Sequence, residues 1–477
     1  MSTGGRMSTD LAFTPASELA GRIRRKELSP VALVRAYLDR IDRLDGTLHA
    51  YITVCRDQAL ADAERSEEAV GRGMPLGPLH GIPIAVKDQI DVAGVLTTAG
   101  SRLLRDNVAS RDAPVVARMR AAGAIVLGKL NLTEFALGGT QEFPYGQPRN
   151  PWNVEHDPGG SSSGSGIAAA TALAAATLGE DTGGSIRSPA ANCGVVGHRP
   201  TWGLVPRAGC IPLCHTMDAI GPITRTVEDA AVILSIIAGP DADDPLMRQR
   251  APHDVISRLR DGVHGLRIGL VRELTEAADT DRETRAAVIA AAEQFRTLGA
   301  TVDEVSLPLV PLAGAVFMAL ADSEGAGQHL SWLRMRAGEY DRATRRRLIA
   351  ASLLPAGAYH QATRARVLIA HQVAEALARV DLLLAPAQPG PAPRIATGQA
   401  PVASKQDAAQ RYFTRRSYTT PFNLAAMPAI SLPCGFTAAG LPIGLQLAGR
   451  RYDDATVLRA ALAYEQSTAW HRHRPPE

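Results

Sequence analysis

Two serine- and glycine-rich clusters, PGGSSSGSG from Pro158 and DTGGS ending at Ser185, flank an alanine-rich run, and a lone lysine, Lys87, stands upstream in GIPIAVKDQ. A serine hydroxyl becomes a nucleophile when a base takes its proton, and a lysine moved out of water can give up its charge and act as that base. Only four of the 51 basic residues are lysine, at 26, 87, 129 and 405, and arginine stays protonated at any ordinary pH. Lys87 in its apolar run is therefore the candidate base. Ser161 and Ser185 lie 24 positions apart. A helix of about 12 residues travels roughly 18 Å out, and an extended stretch of about five travels roughly 17 Å back, so the two hydroxyls can meet. The glycines let consecutive N–H groups of Thr182, Gly183, Gly184 and Ser185 point at one atom. That is an oxyanion hole, in which each donor is typically worth about 2.7 to 4 kcal/mol of transition-state stabilisation.

A flexible linker is the bland reading of such clusters. It is weakened here because GIAAATALAAATLG and CGVVG are apolar enough to be interior and pin both clusters to a core. GSSSG at 160–164 also fits the G-x-S-x-G nucleophile elbow centred on Ser162, but that elbow needs a strand directly before it, and NPWNVEHDPG reads as a loop. No lysine follows Gly164, so a phosphate-binding P-loop fails. Cys210, Cys214 and His215 are close in sequence without a second ligand pair at matching spacing, and buried small hydrophobes are expected rather than a metal. Lys129, after a strand in VLGKLN, reads as structural.

The elements that must position these groups follow from periodicity. Residues 14–44 predict an amphipathic helical pair. RDAPVVARMRAAGAIVLG predicts a helix opened by Pro114, ended near Gly123 and followed by a strand. The same grammar returns as LRIGLV, a helix after Asp281, Gly299 and a strand at VDEV. Thr226 with Asp229 resembles a capping box before a buried helix ending at Gly239. Residues 310–380 are helical and arginine-rich, with the 342–347 arginines expected on a solvated face. DLLLAPA, PAISLPCGF and LPIGLQLAG read as strands, and DDATVLRAALAYEQ as a capped helix. Repeated βαβ grammar predicts an α/β fold. With no internal repeat or long linker, one domain over 1–477 is expected, with a core at about 70–240 and a variable helical region at about 310–380.

Hydrophobic content of 45% and a net charge of +3 fit a soluble globular chain, and neither asks for nucleic acid or a membrane. Five cysteines, an odd number, fit a reducing compartment without a disulfide framework, and the N-terminus has no signal-peptide core, so a cytoplasmic location is expected.

GIPIAVKDQIDVAG, TTAGS, PGGSSSGSGIAAA, GEDTGGSIRSPAANCGVVGHRPTWG and GPITRTVEDAA closely resemble the amidase signature family, most strongly over about 70–240 and again in DLLLAPA and YTTPFNLAAMPAISLPCGF. The resemblance implies a central twisted, mostly parallel or mixed β-sheet with helices on both faces, and a Ser-cisSer-Lys catalytic set. By position it makes Ser185 the nucleophile, Ser161 the bridging cis-serine and Lys87 the base. Ser162 would assist the hydrogen-bond network, and Thr182, Gly183 and Gly184 would supply oxyanion N–H groups. Asp181 and Arg187 are expected to brace the loop, with Arg187 on a substrate carboxylate as the alternative. GGSSSGSG departs from the family's usual GGSSGG by the extra hydroxyl of Ser163. The expected reaction is hydrolysis of an amide, anilide or carbamate C–N bond with no metal and no cofactor. The expected partner is a small-molecule substrate alone, with no nucleic acid and no membrane, the chain being a monomer or homodimer. The alternative is the glutamine-hydrolysing subunit of a tRNA-dependent amidotransferase. In that group an acidic residue two positions before the tyrosine of YTxPxNLA holds the glutamine ammonium, and here Arg416 occupies that place. An inactive scaffold is disfavoured by the joint presence of Lys87, Ser161 and Ser185. Substrate contacts are expected from 310–380, 135–146 and 400–420.

Overall fold

The computed structural model describes residues 9–244, 247, 254–396, 404, 406 and 417–476. Among the described residues eleven strands form one mixed sheet: β1 Tyr51–Val54, β2 Pro83–Lys87, β3 Ile125–Leu130, β4 Ala176–Glu180, β5 Val196–Arg199, β6 Ile220–Thr224, β7 Arg267–Val271, β8 Thr301–Val305, β9 Leu382–Pro386, β10 Ala429–Phe436 and β11 Pro442–Gly449. Their order is β1-β3-β2-β4-β6-β5-β10-β11-β9-β7-β8. β2 pairs in parallel with β3 and β4, and β7 with β8 and β9, whereas the centre from β4 to β9 is antiparallel.

The helices that matter below are α1 Ala16–Arg24, α2 Pro30–Leu48, α3 Pro114–Ala121, α4 Ser163–Ala170, α5 Arg187–Cys193, α6 Val227–Ile237, α7 Arg282–Thr297, α8 Ala313–Met335, α9 Arg342–Ser352, α10 Ala356–Arg379 and α11 Asp454–Ser467. The predicted pair α1 and α2, the α3-to-β3 unit and the β7, α7, β8 unit all form. Thr226 caps α6 by accepting from Asp229 N, and Asp281, Asp341 and Asp453 cap α7, α9 and α11 in the same way. Each such cap is typically worth about 1 kcal/mol.

Alternation along β11 shows why helices cover both sheet faces. Gly444 lies against Ala191 of α5 and Gln446 reaches Arg187 of α5, while Gly449, of opposite parity, lies against Val457 of α11. Strands sandwiched in this way are buried on both faces, and β2, β4 and β9 are buried at every residue, Lys87 at the end of β2 and Glu180 at the end of β4 included. The run after Ser162 differs in detail from expectation. The helix stops at Ala170, eight residues long instead of about 12, because the Thr171 hydroxyl bonds back to Ile167 O and Ala172 turns left-handed at φ 51°. The return strand β4 has the expected five residues.

Candidate active site

β2 and β4 are parallel neighbours, with Val86 opposite Leu178, so Lys87 and Glu180 finish side by side at the same sheet edge. Loops leaving the carboxyl ends of parallel strands are where α/β sheets place their chemistry. Lys87 is wholly buried, and its ammonium donates to Ser161 Oγ at 2.7 Å. It also meets Glu180 Oε2 at 3.2 Å and Glu180 O at 3.3 Å. The Gly160–Ser161 peptide is cis. Ser162 follows, its hydroxyl donating to Glu180 O at 3.2 Å and accepting from Glu180 N at 3.3 Å, which fastens this loop to the end of β4. The extra Ser163 hydroxyl donates to Gly159 O at 2.8 Å.

The loop after β4 brings Ser185 to the same place. Ser162 N donates to Ser185 O at 3.3 Å, and Ser161 and Ser185 both line one cavity of about 450 Å3. Ser185 is half-buried, whereas Ser161 is almost fully buried on the cavity wall and the buried Lys87 does not line it. Glycine is required in the loop: a Cβ on Gly183 would strike the Phe317 ring, and Gly184 has φ +124° with Thr419 against it. Gly184 N–H is turned onto Asp181 Oδ1 at 2.7 Å, so of the four expected oxyanion donors Thr182, Gly183 and Ser185 are those not engaged by Asp181.

Asp181 is the post of the loop. Its carboxylate accepts from Gly184 N, Ile186 N, Asn423 Nδ2 and both Nε and Nη2 of Arg187, with Arg199 Nε at 3.5 Å. Burial alone would raise its pKa, but the Arg187 and Arg199 guanidiniums outweigh that and hold it well below the usual carboxylate range. Arg187 is itself wholly buried, and its remaining donors go to Thr419 O, Gln446 Oε1 and Asn423 Oδ1. Every direction of the guanidinium is taken by protein, the bracing arrangement.

Lys129 pairs with Asp88 at 3.1 Å and donates to Thr97 Oγ1 at 2.7 Å. Cys210 and Cys214 are free thiols whose burial pushes their pKa values up. Among the described residues no cluster of His, Cys, Asp or Glu is placed to hold a metal, and no helix is long and apolar enough to cross a membrane.

The cavity is walled by Leu137 to Gly139, Phe143, Phe317, Met318, Arg347 and Tyr418, so the variable segments do reach it. Arg347 was not legible as a site residue. Read as part of a solvated face, it instead turns inward, gripping Asp322 Oδ1 through Nε at 2.9 Å and Nη2 at 2.6 Å while Nη1 meets Leu137 O. One arginine among RATRRR carries no sequence signal for that. Arg416 lies outside the described residues.

The model of a family described as Amidase matches residues 32–458. A Glutamyl-tRNA(Gln) amidotransferase subunit from Geobacter metallireducens is 40% identical over 483 residues, covering 96% of this chain and 98% of its own. Among solved structures, a chain from a vestigial protein complex bearing on the origins of an s-triazine catabolic enzyme superposes with TM-score 0.88 at 34% identity, covering 97% of this chain and all of that one. A bacterial aryl acylamidase superposes with TM-score 0.86 at 27% identity, covering 96% and 97%. These findings overturn the expectation of a small-molecule substrate alone, no nucleic acid and a monomer or homodimer. One relative is by name part of a tRNA amidotransferase, and another belongs to a protein complex.

Proposed function

Because the chain belongs to the amidase signature family, we propose that it opens a carboxamide C–N bond through an acyl-enzyme on Ser185. The observation that carries this reading is the 2.7 Å contact of the buried Lys87 amine with Ser161 Oγ, on the wall of the cavity that Ser185 also lines. As a free amine, Lys87 takes the Ser161 proton while Ser161 takes that of Ser185, and Ser185 Oγ attacks the carbonyl carbon. The oxygen that gains charge faces the N–H groups of Thr182, Gly183 and Ser185. The proton then travels back through Ser161 to the departing nitrogen, the C–N bond breaks, and water cleaves the ester by the same relay. Asp181 and Arg187 position the loop without touching the substrate.

The finer reading best supported is hydrolysis of the glutamine side-chain amide within an amidotransferase assembly, because similarity to the Geobacter amidotransferase protein runs at 40% along essentially both full chains. A second reading, hydrolysis of another amide, anilide or carbamate, is favoured by a cation, Arg416, at the place where glutamine's ammonium would need an acid, and by the superposition on an aryl acylamidase. Turnover on a panel of glutamine, primary amides, anilides and carbamates separates them. Ammonia from glutamine that rises on adding the other amidotransferase proteins supports the first. Turnover of anilides or carbamates with none of glutamine supports the second. Ser185→Ala should abolish either.

A further inference from the structure

Behind the lysine lies a group to which no role has been given above. Glu180, wholly buried at the end of β4, presents Oε2 to Lys87 Nζ at 3.2 Å and Oε1 to Thr182 Oγ1 at 2.7 Å. The same Thr182 hydroxyl lies 2.8 Å from Oδ1 of Asp218, another buried carboxyl. A hydroxyl owns one proton and can donate to only one of the two. If both carboxyls were anions, one of these short contacts would set a lone pair against a full negative charge. The geometry therefore requires a proton on the Glu180 and Asp218 pair. In agreement, burial first and the Glu180 charge second push the Asp218 carboxyl well above the usual range.

The charged and titratable surroundings are few. Lys87 faces Glu180 from β2, and Arg199 from β5 is already engaged with Asp181. Cys210 and Asp218 come from the loops before β6. A second cavity of about 460 Å3 is lined by Glu180, Asp218, Cys210, Arg207 and His215 and not by Ser185, and there Arg207 is held by Asp244 at 3.0 Å. No cation other than Lys87 is in contact with the Glu180 carboxyl among the described residues.

Resting on the reading of Lys87 as the base, we propose that Glu180 is a further catalytic residue that takes the lysine's proton across the 3.2 Å contact. The step converts Lys–NH3+ and Glu–COO− into Lys–NH2 and Glu–COOH. One N–H bond breaks, one O–H bond forms, and no electrons are transferred. Ionic partners are costly in a buried site and neutral ones are not, so the amine is released without leaving a net charge behind. Lys87 can then accept the serine proton, and the acid beside it stays neutral while negative charge develops on the substrate oxygen. Because the total number of protons on the pair is unchanged, the base is available over a wide pH range instead of only where bulk water would deprotonate a lysine.

The test is kcat/KM against pH for wild type and Glu180→Gln, using the substrate that the panel identifies. Loss of turnover in Ser185→Ala checks the acyl-enzyme reading first, so the two can fail separately. The proposal expects a flat wild-type profile from about pH 6 to 9. In Glu180→Gln, which keeps the shape and cannot take a proton, it expects a new acidic limb, at least about tenfold between pH 10 and 7. A variant profile parallel to wild type would overturn it, as would a wild-type acidic limb that the variant moves to lower pH. Should the variant fail to fold, isotope-edited infrared spectroscopy of wild type carrying 13C-carboxyl glutamate reads the same question. A protonated glutamate band that persists at about pH 9, above Glu134 at about 7 and Glu465 at about 8, and that survives in Asp218→Asn, where the carboxyl sharing a proton with Glu180 is gone, supports the proposal; loss of the band in that variant, or only ionised bands, overturns it.

Discussion

At the scale of single residues, the site is organised around charges kept from water, and each has a different tolerance. Asp181 is the counter-charge for two buried guanidiniums, so Asp181→Asn leaves Arg187 and Arg199 without an anion. Removing one partner of a buried pair typically costs about 3 to 5 kcal/mol, and urea unfolding of the variant should show a loss of that order. Lys87→Ala should lower kcat by several orders of magnitude, measured on the best panel substrate, while circular dichroism stays native. Ser161, Ser185 and Lys87 were legible in the sequence because reactive residue types stood in glycine-rich or apolar settings that have few other uses. Glu180 and Asp218 were not. An acidic residue in GEDTGGS looks like any loop acid until β2 is seen lying next to β4, and that adjacency joins residues 93 positions apart.

At the scale of elements, the loops around the cavity are tied together by buried polar groups whose charge depends on pH. Glu134 accepts from Ser101 Oγ at 2.6 Å and from Asp341 N, linking the 134–137 turn to the start of α9. Burial raises its pKa to about 7. A carboxyl raised on folding binds its proton more tightly in the folded chain, so its contribution is full below about pH 4.5 and is lost as pH climbs towards 7. His329 works in the opposite sense. Burial lowers it to about 4, so the stability it confers is lost as pH falls from about 6.5 towards 4. The two largely cancel in wild type. The difference between wild type and Glu134→Gln exposes the first alone, and thermal unfolding should show the wild type's advantage shrinking by up to about 3 kcal/mol between pH 4.5 and 7. Elements with strong local signals, such as the Thr226 cap and the Pro114 helix start, were readable from the chain. The early end of α4 was not, because it depends on a hydroxyl returning to a carbonyl and on one left-handed alanine.

At the scale of the whole molecule, sheet order is the property that sequence reading could not supply. The strands β2, β4, β6 and β5 lie in the middle by tertiary pairing, and only that order sets Lys87 beside Glu180 and the two serine loops over one sheet edge. Mixed pairing and helices on both faces were expected, and the structure has them. The partners were misjudged for a related reason: net charge and composition describe the average surface, whereas assembly with other chains is written in particular patches. The most direct test of the account is to stall turnover and map the covalent intermediate by peptide mass spectrometry. The predicted result is an acyl adduct on Ser185 that forms at least about a thousandfold more slowly in Lys87→Ala. An adduct on Ser162, or acylation of Lys87→Ala at the wild-type rate, would contradict it.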